Sequence, residues 1–182
     1  FILSTGRFQI MGIDAAEFPK GEALGDDCRV LNIPTAIVQK GIENTIFAVS
    51  TETLRPVMMG IYWDIHENDI TFVSSDTHKL VRYINREMAP GIESSFIMPA
   101  KPAAILRGVI GDGDTEVRLT IGEKNASFEV GDYKLTCRFI KGNYPNYNRV
   151  IPADNPYKMT FDRSLMLPAM RRMSLFASMA SG

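Results

Sequence analysis

Asp76-Thr77-His78 sets an acid beside a histidine in a chain that has only two histidines. A carboxylate paired with an imidazole can serve hydrolysis if a nucleophile and an oxyanion site stand around the pair. The sequence offers no G-x-S-x-G, no glycine-rich phosphate loop and no H-E-x-x-H to complete such a site. The other histidine, His66, lies beside a turn signal, and a metal would need a third ligand near either one. Aspartate also caps tight turns through its side-chain oxygen, and that reading suits Asp76 better, with His78 lining a surface. No catalytic residue, cofactor or metal ligand is expected.

A second set of residues could contact phosphate. Lys40, Lys101 and Arg107 fall on or beside two predicted helices, and Arg171-Arg172 is a basic pair on a third. Each alone reads as a solvated helix face. Together, on helices that face one surface, they would form a sequence-blind lining for a nucleic-acid backbone. The 20 basic and 21 acidic residues leave a net charge of −1, so such a lining would be local.

The run from Gly142 to Val150, with Tyr144, Pro145, Tyr147 and Arg149, is rich in rings and apolar surface for a connecting segment. It reads either as a packed hinge between domains or as a pocket for a partner's side chains. Cys28 and Cys137 lack ligand-like spacing and read as free thiols of a reducing cytoplasm. No apolar run approaches bilayer length, so no membrane partner is expected.

The elements that must carry these residues repeat along the chain. Phe8 aligns with Tyr133 at an offset of 133 − 8 = 125, and Phe18-Pro19 with Tyr144-Pro145 at 145 − 19 = 126. Ile33, Ile37, Val38, Gly41 and Ile42 then match Phe161, Leu165, Met166, Ala169 and Met170 at an offset of 128. Small loop changes between duplicated domains produce that drift, and repetition on this scale implies stacked similar domains. The expected division is the tail of one domain (1–24), a whole middle domain (25–152) and the head of a third (153–182). The first residues read as mid-strand, as at the edge of a fragment.

Within the middle domain, Asn32 and Pro34 signal a helix start, with Ile33, Ile37, Gly41, Ile42, Ile46 and Val49 as its apolar stripe. Strands are predicted at 57–65, 69–74 and 78–85, then a short one at 95–98 leading through Pro99 and Pro102 into a second helix of about ten residues. Strands at 116–121, 126–130 and 133–140 follow, joined by hairpin turns. Residues 14–29 and 141–156 read as linkers. Pro168, in the register of Lys40, should kink the third helix or delay its start. The order helix, strands, helix, strands defines an α+β fold with two helices packed on antiparallel sheets.

Taken together, Val57-Met58-Met59-Gly60-Ile61, the element Ser75-Asp76-Thr77-His78-Lys79-Leu80 and the element Tyr144-Pro145-Asn146-Tyr147-Asn148-Arg149-Val150 resemble the bacterial DNA polymerase III beta subunit family, the replication sliding clamps. The likeness runs through essentially all of the chain. It implies the DNA clamp fold: a homodimeric ring of six similar domains around double-stranded DNA, with helices toward the hole and sheets outside. It implies a non-enzymatic processivity factor whose partners are the catalytic subunit of DNA polymerase III, the clamp loader and other proteins with a clamp-binding motif, working in the cytoplasm at the nucleoid. Carried over by position, the peptide groove is implied at Met58, Ser75, Thr77, His78, Lys79, Leu80, Pro145, Arg149 and Val150. Thr77 stands where the family often has Gly, Lys79 where it has Arg, and Met58 where it has Leu. The alternatives are an interaction scaffold that does not encircle DNA, and a hydrolase using Asp76 and His78.

Overall fold

The computed structural model describes residues 2–18, 24–25, 27–113 and 115–177. They fall into two units, residues 1–147 and 148–182. In the first unit a hairpin of β1 (Ile2–Leu3) and β2 (Gly6–Arg7) precedes β3 (Arg29–Pro34) and α1 (Thr35–Glu43). Next come β4 (Gly60–Ile65), β5 (Ile70–Ser75), β6 (Leu80–Asn85), β7 (Ser94–Pro99) and α2 (Ala100–Val109). Three strands complete the unit: β8 (Glu116–Ile121), β9 (Asn125–Val130) and β10 (Tyr133–Arg138).

These strands form two four-stranded antiparallel sheets, ordered β10-β9-β8-β3 and β6-β5-β4-β7. Alternation decides which side chains enter the core. On β4, Ile61, Trp63 and Ile65 are buried, while Tyr62 and Asp64 turn to the opposite face. Trp63 is paired across the ladder with Phe72 on one side and Phe96 on the other. Its ring meets Phe72 edge-on at 4.5 Å and Phe128 of the other sheet at 5.7 Å, so aromatic packing joins the two sheets.

The two helices pack against each other, burying Ile37, Val38, Gly41 and Ile42 of α1 and Ala103 and Leu106 of α2. Gly41 allows the close approach: a β-carbon there would lie 2.5 Å from the Phe72 ring. The helix ends where Asn44 Nδ2 and Thr45 Oγ1 donate back to the carbonyls of Lys40 (2.7 Å) and Gly41 (2.6 Å).

The α+β class and the two-helix, antiparallel-sheet plan match the expectation, but several boundaries do not. Residues 29–34 form a strand, so Asn32 is no helix cap. It pairs with Arg118 in the ladder, and α1 starts after Pro34 with no side-chain cap. The helix stops at Glu43, and Ile46 and Val49 reach the core from beyond it, through a short 3-10 turn at Ile46–Ala48. Pro56–Met58 is likewise a 3-10 turn, which delays β4 to Gly60. His78 lies before β6 and not within it.

The second unit holds α3 (Arg163–Ser174). Its first residue falls where the repeat puts it, since Thr35 opens α1 and 35 + 128 = 163. Pro168 lies inside α3 and does not delay its start, because Asp162 caps the helix by accepting the Ser164 N–H at 2.7 Å. The residues matching the buried stripe of α1 do not share its burial: Leu165 and Met170 are exposed in this unit.

Candidate functional site

Asp76 organises the turn from β5 to β6 on the surface of the first unit. Ser75 and Leu80 are the last ladder pair of these strands. Asp76 Oδ1 accepts the N–H groups of His78 (3.0 Å) and Lys79 (2.9 Å), and Oδ2 meets the Lys79 ammonium. Ser75 Oγ accepts from the Thr77 N–H at 3.2 Å and donates to the Lys79 carbonyl at 2.9 Å. The Lys79 side chain first, then its backbone N–H, holds the Asp76 carboxyl well below the usual carboxylate range. Every acceptor position of Asp76 that the turn reaches is engaged in building it. That leaves the acid as a turn cap, and His78 projects from the same turn, exposed.

Thr77 has φ +80°, the left-handed region that a β-branched residue rarely enters. Thr77 stands where the resembled family often has glycine, the residue best suited to this backbone. The tight turn needs a positive φ there, which glycine adopts without strain.

The turn therefore brings Ser75, Thr77, His78, Lys79 and Leu80 onto one short surface: Thr77, His78 and Lys79 exposed, Leu80 half-buried, Ser75 buried. Met58 sits apart in sequence, half-buried at the end of the 3-10 turn before β4, where its carbonyl accepts the Ser50 N–H at 2.9 Å. Pro145 is exposed in a strap that follows β10. Arg149 and Val150 belong to the second unit and are exposed.

The strap is fastened to the outer face of β4 by two rings that sequence reasoning did not assign. Tyr144 stacks flat on Tyr62, with centroids 4.8 Å apart and planes within 5°. Burial pushes its phenol up to about 12, and its hydroxyl lies by the Ser75 backbone. Tyr147 is buried and donates its hydroxyl to Asp64 Oδ2 at 2.8 Å. The detectable signal was period two: Tyr62 and Asp64 alternate with the core residues of β4. Beside them His66 approaches Asp64 at 3.4 Å and Glu93 at 2.9 Å, and the Glu93 contact raises its pKa. A cleft of about 500 Å3 runs along this side of the unit, walled by Tyr62, Ile97, Arg138, Ile140 and Tyr144. None of the expected groove residues lines it.

Lys40, Lys101 and Arg107 are exposed, on the sides of α1 and α2 away from the buried stripes. Arg171 and Arg172 are exposed in the last turn of α3. Among the described residues no group of three metal-ligating side chains exists, and no helix is long and apolar enough to cross a membrane.

Comparison with known proteins extends these observations. Residues 32–146 match the family described as DNA polymerase III beta subunit, central domain. The chain is 27% identical over 179 residues to the beta sliding clamp of Bacillus subtilis, covering 97% of this chain and 47% of that protein. It is 28% identical over the same length to the beta sliding clamp of Staphylococcus aureus. The crystal structure of the Bacillus subtilis DNA polymerase sliding clamp superposes with a TM-score of 0.84 at 26% identity, over 92% of this chain and 44% of that one. The chain thus spans about half the length of the curated relatives it matches.

Proposed function

This chain belongs to the DNA polymerase III beta subunit family, and we propose that it works as part of a DNA sliding clamp, a processivity factor with no catalysis of its own. The observation that carries the reading is the pair of packed helices. They put every large apolar side chain of their buried stripes against the sheets and leave Lys40, Lys101 and Arg107 in solvent. Cations arranged this way contact phosphates without reading bases, which suits a protein that must move along a duplex.

In the whole protein, two copies close into a ring around double-stranded DNA, and Arg171 and Arg172 are the second unit's candidates for phosphate contact. A ring holds DNA by topology, so weak contacts serve it better than strong ones. The near-neutral charge of the chain supports that reading. The turn bearing Ser75, Thr77, His78, Lys79 and Leu80, with Met58 and Pro145, supplies this unit's share of a groove for short peptides of the polymerase catalytic subunit, the clamp loader and other motif-bearing proteins. Arg149 and Val150 are the second unit's candidates for peptide contact. The site of action is the cytoplasm, at the nucleoid.

Retention on DNA tests the ring. Full-length protein loaded on nicked circular DNA should stay bound through gel filtration and run off after the circle is linearised. Equal retention on both forms would favour direct binding and overturn the clamp reading.

A further inference from the structure

We infer that Asp64 is a positioning residue for the peptide groove, fixing the strap 144–147 and the Pro145 it carries by accepting the Tyr147 hydroxyl. The inference rests on the groove reading above. Backbone hydrogen bonding between this part of the chain and the sheets reaches Ile140, whose N–H meets the Ile97 carbonyl at 3.0 Å. Farther on, the strap has no strand or helix up to Tyr147, and ring anchors take over.

Both anchors grip one strand face. Tyr62 and Asp64 are two residues apart on β4, so their side chains share the side opposite the core. Tyr144 on Tyr62 fixes the residue before Pro145, and Tyr147 on Asp64 fixes the second residue after it. The Asp64 side chain is only 17% exposed, and Tyr147 is buried. A hydroxyl-to-carboxylate bond in such a setting is stronger than a neutral one. Through Tyr144, whose hydroxyl lies by the Ser75 backbone, the same strap abuts the turn that carries Thr77, His78 and Lys79. Asp64 therefore acts through Tyr147 on the spacing between Pro145 and the turn, without touching a peptide.

The test is a titration of full-length protein with a fluorescent peptide carrying a Gln and a following Leu/Phe pair, the clamp-binding motif that the family resemblance implies. Asp64→Ala and Tyr147→Phe should each weaken binding about five- to tenfold, less than the full worth of one charge-assisted hydrogen bond because the bond acts on the groove only through the strap. The double variant should be no weaker than either single one, because both remove the same bond. Asp64→Asn keeps an oxygen that accepts the hydroxyl and should recover most of the affinity, a rescue that general destabilisation would not give. Affinity unchanged in Tyr147→Phe, additive losses in the double variant, or Asp64→Asn as weak as Asp64→Ala would each overturn the inference. If Asp64→Ala does not fold, Tyr147→Phe, which keeps the ring, decides alone. Leu80→Glu separates the two claims. If it leaves binding intact, the groove is misplaced and this inference falls with it. If it abolishes binding while Tyr147→Phe does nothing, the groove stands and Asp64 does not position it.

Discussion

Asp76 and Lys79 close their turn twice, once through the Lys79 backbone N–H on Oδ1 at 2.9 Å and once through the Lys79 ammonium on Oδ2. Both contacts favour the ionised carboxylate, so the folded pKa lies below the unfolded one. The turn's contribution to stability is thus fully present above about 3.8, the ordinary value, and is lost as pH falls through the lower folded value. In a carbon-13 NMR titration Asp76 should remain mostly ionised where ordinary aspartates are half protonated. A midpoint at or above the ordinary value would contradict the geometry.

Thr77 at φ +80° carries strain that a glycine would not. A left-handed conformation costs an L-residue about 1–2 kcal/mol, and glycine's extra freedom when unfolded takes back about 0.4–1 kcal/mol. Thr77→Gly should accordingly stabilise the protein by roughly 0.5–1 kcal/mol in urea denaturation. A loss of stability would mean that the Thr77 side chain makes contacts outweighing its backbone strain.

Gly41→Ala should do the opposite. Alanine gains about 1 kcal/mol of helix propensity over glycine. At this position its β-carbon would sit 2.5 Å from the Phe72 ring, and Phe72 is itself fully buried against Trp63. Overpacking a core costs about 1–3 kcal/mol, so a net destabilisation is expected. A higher melting temperature in calorimetry would show that Phe72 moves aside without cost.

His66 gives a pH dependence of the other sign. Its hydrogen bond to Glu93 raises the pKa, with Asp64 and Asp69 adding to the effect. The stabilisation is then complete below the unfolded value of about 6.5 and disappears as pH rises through the folded one. The Glu67 backbone N–H also donates to Glu93, at 3.3 Å, and helps hold that carboxylate in place. The histidine side chain is 43% exposed, so the effect on stability is small. Proton NMR should find a His66 midpoint above 6.5 that drops in Glu93→Gln. The same midpoint in both proteins would remove Glu93 as the cause.

What the sequence disclosed followed from periodicity and repetition. The offset of 128 relates the observed first residues of α1 and α3, though the sequence signals at Asn32 and Pro34 began the helix too early, and the stripe Ile37, Gly41, Ile42 located the buried face of α1. Strand β3 escaped because Leu31 and Ile33 alternate over too few residues, next to an Asn-Ile-Pro that also reads as a helix start. The early end of α1 escaped because side-chain bonds from Asn44 and Thr45 to the last carbonyls carry no hydrophobic signal. At the site, the Asp76 cap was legible from local chemistry. The Tyr62–Tyr144 stack and the Asp64–Tyr147 bond join residues about 80 positions apart, and no local pattern encodes such a pairing.

The proposed peptide groove yields the most direct prediction. Leu80 is half-buried beside the Asp76 turn, and Val150 is 65% exposed in the second unit, so each has apolar surface left to give to a ligand. Burying one medium apolar side chain of a peptide is worth roughly 1.5–3 kcal/mol before ordering costs, and two such anchors support micromolar binding. Leu80→Glu or Val150→Glu would place a carboxylate where that side chain must lose its water, at a cost exceeding the gain. Neither residue belongs to the fully buried core, so the melting temperature should change little. In calorimetric titration with the Gln and Leu-Phe peptide, both full-length variants should lose measurable binding while still remaining on nicked circular DNA. Wild-type affinity in both would show that peptides dock elsewhere on the protein.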